Sequence, residues 1–243
     1  MTGHRVVGTG AAEAAPRVGV VGGGQLARMM QEAAIPLGID LRALVEAADG
    51  SAGQAVPHSR VGQASDVGAV EDLARQVDVL TVEHEHVPDA VLRSAERIVP
   101  VRPGAHALAF AQDKLGMRRR MDELGVPCPR WRRVEDAAQC AAAVREFGGQ
   151  AVLKTPRDGY DGKGVAVVDL DGRGRLRGAG GFQSWFADAP DGLLLEERVG
   201  FSSEIAQLVA RRPSGQIASW CAVETIQRRG VCLETVAPAT VEP

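Results

Sequence analysis

The feature that most constrains the fold is an apolar run that ends in three consecutive glycines. Arg17-Val18-Gly19-Val20-Val21 reads as a buried strand. Gly22-Gly23-Gly24 follow at once, and Gln25 to Leu37 carries helical spacing before Gly38 stops it. A strand that turns directly into a helix is the opening of a βαβ unit, which requires a parallel partner strand. Leu41 to Val45 supplies one, closed by Glu46. Helical spacing at Asp66 to Gln76, a strand at Val77 to Val82, a short helix at Pro88 to Ala95 and a strand at Ile98 to Val101 continue the alternation. The expectation for residues 16–112 is a Rossmann-like α/β domain, its parallel sheet covered on both faces. Residues 1–15 read as a disordered tail without the apolar core of a signal peptide.

A different pattern begins at Asp113. Asp113 to Leu124 is predicted helical, ended by Gly125, and Asp136 to Phe147 forms a second helix, stopped by Gly148-Gly149. Ala151 to Lys154 and Val165 to Val168 are strands on either side of a glycine-rich segment. Asp171 to Gly181 reads as a loose connection. Four strand-like runs follow: Leu193 to Val199, Glu204 to Ala210, Ile217 to Val223 and Val231 to Val236. This half is expected to be α+β with antiparallel pairing.

The bulk properties exclude several classes. Net charge is -3 over 243 residues, without the basic excess of a nucleic-acid binder. The run Arg118-Arg119-Arg120 lies beside Asp122 and Glu123 and reads as a solvated helix face. No apolar run approaches the roughly 20 residues that span a membrane. The four cysteines form no C-x-x-C pair. A reducing cytoplasm is the simplest compartment.

Several motifs carry possible chemistry. Gly22-x-Gly24-x-x-Ala27 after a strand, with Glu46 ending the next strand, matches the dinucleotide fingerprint. Such a turn serves a nicotinamide or flavin cofactor, another phosphate, or no ligand at all. Lys154 ends an apolar strand, where an ammonium is costly unless it meets an anion or snorkels to the surface. The segment Asp158-Gly159-Tyr160-Asp161-Gly162-Lys163-Gly164 can fold over phosphates and offer amide donors. It is not a Walker A loop, and the bland alternative is a glycine-rich hairpin. Leu193-Leu194-Leu195-Glu196-Glu197 is an apolar strand ending in acids, with Glu204 opening the next run. These acids either hold ribose hydroxyls or are solvated strand-end charge. Glu83-His84-Glu85-His86 follows a strand, and its alternation admits a metal site, a substrate contact or neither.

In their order along the chain these pieces resemble a known family. Val21-Gly22-Gly23-Gly24-Gln25-Leu26-Ala27-Arg28-Met29, Thr81 to Val87, Gln112-Asp113-Lys114, Lys154 with Gly159 to Gly164, Glu224-Thr225-Ile226 and Ala237-Pro238-Ala239 closely resemble the N5-carboxyaminoimidazole ribonucleotide synthases among the ATP-grasp ligases. The likeness covers about residues 16 to 239.

It implies a pre-ATP-grasp domain over 16–112, an ATP-grasp small lobe over 113–190 and the start of a large lobe over 191–243. The implied reaction carboxylates aminoimidazole ribonucleotide with bicarbonate at the expense of ATP, with magnesium as cofactor and a homodimer as the common assembly. By position, Lys114 and Lys154 are expected at the ATP phosphates, and Gly159, Tyr160, Asp161, Gly162, Lys163 and Gly164 in the loop above the nucleotide. Glu196, Glu197, Arg198 and Val199 are expected at adenine, and Glu204 at the ribose. Gln227 stands near the nucleotide where many members place histidine. Gln25, Leu26 and Glu83 are expected at the ribonucleotide substrate, joined by the catalytic candidates Tyr160, Asp161 and Lys163.

Lys114 and Lys163 stand where arginine is common, so charge is kept and the bidentate fork is lost. The family's magnesium ligands are expected beyond Pro243, so this chain is expected to be part of a longer protein and inactive alone. The rival readings are a sister ATP-grasp carboxylase or transformylase, a nicotinamide-dependent oxidoreductase, and a non-catalytic nucleotide-binding fragment.

Overall fold

The structure is a computed structural model and describes residues 14–159, 164–178, 181–228 and 231–240. Most of the predicted N-terminal tail, and Tyr160, Asp161, Gly162 and Lys163, lie outside the described residues. The chain divides into two compact units, Met1–Gln112 and Asp113–Pro243.

Unit 1 runs β1 (Arg17–Val21), α1 (Gln25–Leu37), β2 (Asp40–Val45), β3 (His58–Val61), α2 (Val67–Ala74), β4 (Val79–Val82), α3 (Asp89–Glu96) and α4 (Ala105–Gln112). Its sheet is parallel, in the order β3-β2-β1-β4. Period-2 alternation sends neighbouring residues to opposite faces. Val20, Ala43 and Val45 pack with Ala27 and Ala34 of α1. Val21 and Leu44 pack with α2, α3 and α4 through Val70, Leu73, Leu92 and Leu108. Both faces are therefore covered, as the alternation of elements predicts.

The predicted strand at Ile98 to Val101 is corrected. Ile98 and Val99 donate their amides back to Ala95, as the last turn of α3. Pro100 has no N–H to give a ladder, and only a single bridge, Leu80 to Val101, forms.

Unit 2 opens with α5 (Lys114–Leu124), β5 (Trp131–Val134), α6 (Ala137–Glu146), β6 (Gln150–Lys154), β7 (Val165–Leu170) and β8 (Leu176–Gly178). A 3-10 turn (Phe182–Ser184), α7 (Trp185–Asp188) and β9 (Leu193–Glu197) follow. The five strands form an antiparallel sheet in the order β5-β9-β6-β7-β8. One face carries Ala151, Leu153, Ala166, Val168, Leu193 and Leu195, buried against Cys140, Ala143 and Val144 of α6 and against Phe182. Burying a leucine from water is worth roughly 1.5–3 kcal/mol, so this layer is the unit's main source of stability. The other face carries Val152, Lys154, Val165, Val167 and Glu196, and α5 lies against its β9 strand.

The connection Asp171 to Gly181 is not loose throughout. The Asp171 carboxylate accepts from the amides of Arg173 and Arg175, and the Asp171 amide donates to the Arg175 carbonyl at 2.9 Å, which makes a tight hairpin feeding β8.

The C-terminal strands are β10 (Glu204–Ala206), β11 (Val209–Arg211), β12 (Ile217–Ser219), β13 (Val223–Arg228) and β14 (Val231–Val236). The predicted run Glu204 to Ala210 is two strands, because the chain changes partner at Gln207-Leu208. Ala206 pairs with Val223 on β13, whereas Val209 pairs with Ser219 on β12. The predicted run Ile217 to Val223 breaks for the same reason. The sheets are β10-β13-β14 and β11-β12.

Candidate functional site

In unit 1 the glycine turn meets a carboxylate of its own chain. Glu83, just after β4, accepts from the amide of Gly24 at 2.6 Å, of Leu26 at 3.0 Å and of Ala27 at 3.3 Å. It therefore fills the donor set at the α1 N-terminus that an external anion would use, and its charge complements the helix dipole. The glycines serve this approach. A Cβ on Gly24 would stand 2.5 Å from Glu83 Oε1, and one on Gly22, where φ is +124°, would stand 2.7 Å from Oε2. Glu46 borders the turn as well, with Oε2 2.8 Å from where a Gly23 Cβ would lie. A dinucleotide pyrophosphate would face two carboxylates and engaged amides, so the nicotinamide reading of the fingerprint loses its physical basis.

Gln25 and Leu26 are brought to the same place. The Gln25 side chain accepts from the Ser51 hydroxyl at 3.0 Å, and the Leu26 side chain is exposed. His84 Nε2 lies 3.8 Å from Glu46, and His86 Nε2 4.0 Å from Glu85. Among the described residues no group of three His, Cys, Asp or Glu side chains is placed to hold a metal ion.

In unit 2, sheet register explains the site. Lys154 stands opposite Leu194, and Val152 opposite Glu196, so Lys154 and Glu196 are diagonal neighbours on the open face. Lys154 Nζ reaches Glu196 Oε2 at 2.5 Å, and the other oxygen, Oε1, accepts from Arg118 Nε. Glu196 is only 3% exposed. The reading of Glu196 as solvated strand-end charge is thus corrected, and so is that of Arg118 as part of a solvated helix face. Arg119 is exposed and Arg120 pairs with Glu123, but Arg118 turns inward. Burial pushes the Glu196 carboxyl up. The hydrogen bonds and charges of Lys154 and Arg118 outweigh it and hold the group below its ordinary range.

Lys154, Glu196, Glu197, Arg198 and Val199 line one cleft of about 1030 Å³, floored by Val152 and Val167 and extended by Phe147, Gln150 and Phe201. Glu197 is held by the Arg130 backbone amide at 2.9 Å and by its guanidinium at 2.6 Å, which keep its carboxyl below the ordinary range. Arg198 donates to the Gln150 side chain at 2.7 Å.

The other expected nucleotide residues do not line this cleft. Lys114 Nζ donates to the Asp158 carbonyl at 2.6 Å, at the head of the glycine segment. Gly159 and Gly164 border a separate hollow of about 490 Å³ with Trp185 and Asp188. The base of the segment is closed by the Thr155 amide donating to the Gly164 carbonyl at 2.9 Å. Gly164 has φ +68°, and a Cβ there would run into the Thr155 hydroxyl. Glu204 and Gln227 lie on the β10-β13-β14 sheet. Glu204 pairs with Thr225, and Gln227 follows two residues later at a register shift. The residue that sequence reasoning missed is Arg118. Its spacing one helical turn after Lys114 was the available signal.

Comparison with known proteins agrees with this layout. The ribonucleotide synthetase preATP-grasp domain matches residues 16–112, and the ATP-grasp domain matches 119–243. The chain is 42% identical over 235 residues to N5-carboxyaminoimidazole ribonucleotide synthase of Mycobacterium tuberculosis strain H37Rv, covering 94% of this chain and 52% of that protein. It is similar to the ADP complex of an N5-carboxyaminoimidazole ribonucleotide synthetase, with TM-score 0.82 and 27% identity, covering 94% of this chain and 59% of that one. It is also similar to the Aspergillus clavatus N5-carboxyaminoimidazole synthase in complex with ADP and 5-aminoimidazole ribonucleotide. There the TM-score is 0.74 and the identity 26%, over 94% of this chain and 58% of that one. The chain spans about half the length of the curated relatives it matches. With a preATP-grasp domain matched over residues 16–112 and an ATP-grasp domain over 119–243, the chain belongs to the ATP-grasp family.

Proposed function

We propose that the chain is part of an enzyme that carboxylates 5-aminoimidazole ribonucleotide with bicarbonate, using ATP, in purine biosynthesis. The observation that carries this reading is Lys154 on the open sheet face, joined through Glu196 to Arg118 of α5, beside the Glu196–Val199 strand exit. The relatives' names supply the substrate.

Bicarbonate is a poor electrophile. Transfer of the γ-phosphoryl group to a bicarbonate oxygen gives ADP and carboxyphosphate. Cleavage of the carbon–oxygen bond then releases carbon dioxide and phosphate. The exocyclic amine of the ribonucleotide attacks carbon dioxide, forming the nitrogen–carbon bond and losing a proton. The protein's work is positioning, charge stabilisation and exclusion of water.

In this reading Lys154 and Lys114 meet the phosphates, and Gly159 to Gly164 cover them. The backbone of Glu196 to Val199 reads adenine over the apolar floor of Val152 and Val167. Glu204 takes the ribose, with Gln227 nearby. Gln25, Leu26 and Glu83 hold the ribonucleotide. Glu83 retains acceptor capacity after its three amide bonds, since a carboxylate has about four lone-pair sites. Tyr160, Asp161 and Lys163 are assigned to the reacting centre by resemblance alone. Magnesium would neutralise charge on the phosphates. The described residues offer no ligand cluster for it, so no step is assigned to it. A homodimer and a cytoplasmic setting belong to the same reading.

Calorimetric titration with ATP, ADP and NAD tests the nucleotide part. Saturable binding of ATP and ADP without NAD binding is expected, and absence of ATP binding would refute it. Isotope-labelled bicarbonate trapped on the ribonucleotide by a protein that joins this chain to the remaining half of a relative's length tests the carboxylation. Label transfer from formate instead, or to biotin, would move the assignment to a sister enzyme. Since the relatives are about twice as long, turnover by these 243 residues alone is not expected. A coupled ATPase assay with full substrate-dependent activity would overturn that.

A further inference from the structure

The open face of the unit 2 sheet holds one buried carboxylate between two cations. Each oxygen of Glu196 takes one of them, Oε2 from Lys154 at 2.5 Å and Oε1 from Arg118. The side chains of Arg118 and Lys154 keep 21% and 27% of their surface, while that of Glu196 keeps 4%. The anion is thus sealed, Lys154 lines the cleft beside it, and Arg118 reaches the anion from α5. A lone buried carboxylate would be costly, and a single cation would answer it. With one cation the pair is neutral and offers nothing to a ligand. With two, the cluster carries one surplus positive charge at the edge of the cleft.

Helix geometry brings the second cation there. Lys114 and Arg118 are one turn apart on α5 and share a face. Asp113 caps that helix through the amides of Leu115 and Gly116, which fixes its first turn.

We propose that Arg118 is a positioning residue for phosphate recognition: by sharing Glu196 it leaves the Lys154 ammonium with charge to spend on phosphate oxygens. The proposal rests on the nucleotide reading above for its ligand, but the surplus charge should bind any polyphosphate. Were Arg118 merely structural, its loss would lower stability and weaken all ligands alike. A positioning role instead changes selectivity for phosphate.

The test uses the 243-residue chain, titrated by calorimetry with inorganic tripolyphosphate, ATP and adenosine, with melting temperatures measured alongside. In Arg118→Met, affinity for tripolyphosphate and ATP is expected to fall about tenfold while adenosine binding is unchanged. Arg118→Lys is expected to restore both to within about threefold. Glu196→Gln removes the shared anion and is expected to strengthen tripolyphosphate binding, the opposite sign. It also serves as the test should Arg118→Met fail to fold.

The proposal is overturned if Arg118→Met binds tripolyphosphate as the wild type does, or loses adenosine in the same proportion. Glu196→Gln weakening or not changing tripolyphosphate binding, or a wild type that binds none, overturns it too. A wild type that binds tripolyphosphate but not ATP would sink the nucleotide reading and leave the Arg118 comparison to be decided on tripolyphosphate.

Discussion

Arg17 and Asp78 tie the start of β1 to the chain ahead of β4. Asp78 accepts from the Arg17 backbone amide at 2.8 Å and from its guanidinium at 2.6 Å. The side-chain bond first, then the backbone bond, hold the Asp78 carboxyl down at about 2 against an ordinary 3.8. A depressed carboxyl stabilises the fold above its unfolded value and loses that contribution as pH falls through the folded one. The stability gap between wild type and Asp78→Asn should therefore be constant above pH 3.8 and close as pH approaches about 2 in acid-unfolding curves. Cys140 behaves in the opposite way. It lies fully buried on the sheet-facing side of α6, and burial pushes its thiol up to about 12. With iodoacetamide at pH 8, mass spectrometry should find Cys221 and Cys232, both exposed, modified long before Cys140. At this scale the sequence states needs more readily than partners. Lys154 at the end of an apolar strand demanded an anion, and one is there. That the anion is Glu196, and that Arg118 also serves it from 78 positions away, depends on a strand register that no local pattern encodes.

Three helices begin at aspartates whose side chains accept from the first-turn amides: Asp66 for α2, Asp113 for α5 and Asp136 for α6. An aspartate before a helical run marks its start in the sequence, and α2, α5 and α6 all lie where they were expected. Because α5 carries Lys114 and Arg118, its cap matters beyond stability. Asp113→Ala should cost about 1 kcal/mol in urea unfolding, and Asp113→Asn much less. The helices α4 and α7 escaped the sequence, and the strands that escaped it are edge strands. β3, His58–Val61, and β5, Trp131–Val134, lie at sheet margins and are largely polar and exposed, so they show no apolar alternation. The breaks at Gln207-Leu208 and Trp220 escaped for another reason. Both sides of each break favour strand, and only the change of partner divides them.

On the scale of the molecule, the division into an α/β unit and an antiparallel unit follows from patterns that local propensity states well. The exposure of the C-terminal strands does not. Ile205, Leu208, Val209, Ile217, Trp220 and Leu233 are all more than half exposed, an apolar surface of the kind that marks interaction or aggregation. Trp220 emission should accordingly be quenched by iodide more strongly than that of Trp131 or Trp185, which are half-buried. Single-tryptophan variants would measure the difference.

The two units also treat anions differently. Unit 2 has a cation in excess, while the α1 turn of unit 1 is occupied by Glu83. That carboxylate is a ligand that cannot diffuse away. Tethered beside its amides, it competes at an effective concentration in the millimolar range or above. A soluble phosphate must outbid it to enter. The glycine turn is thereby protected against the cell's common anions and left open to groups that a carboxylate attracts: amines, hydroxyls and cations.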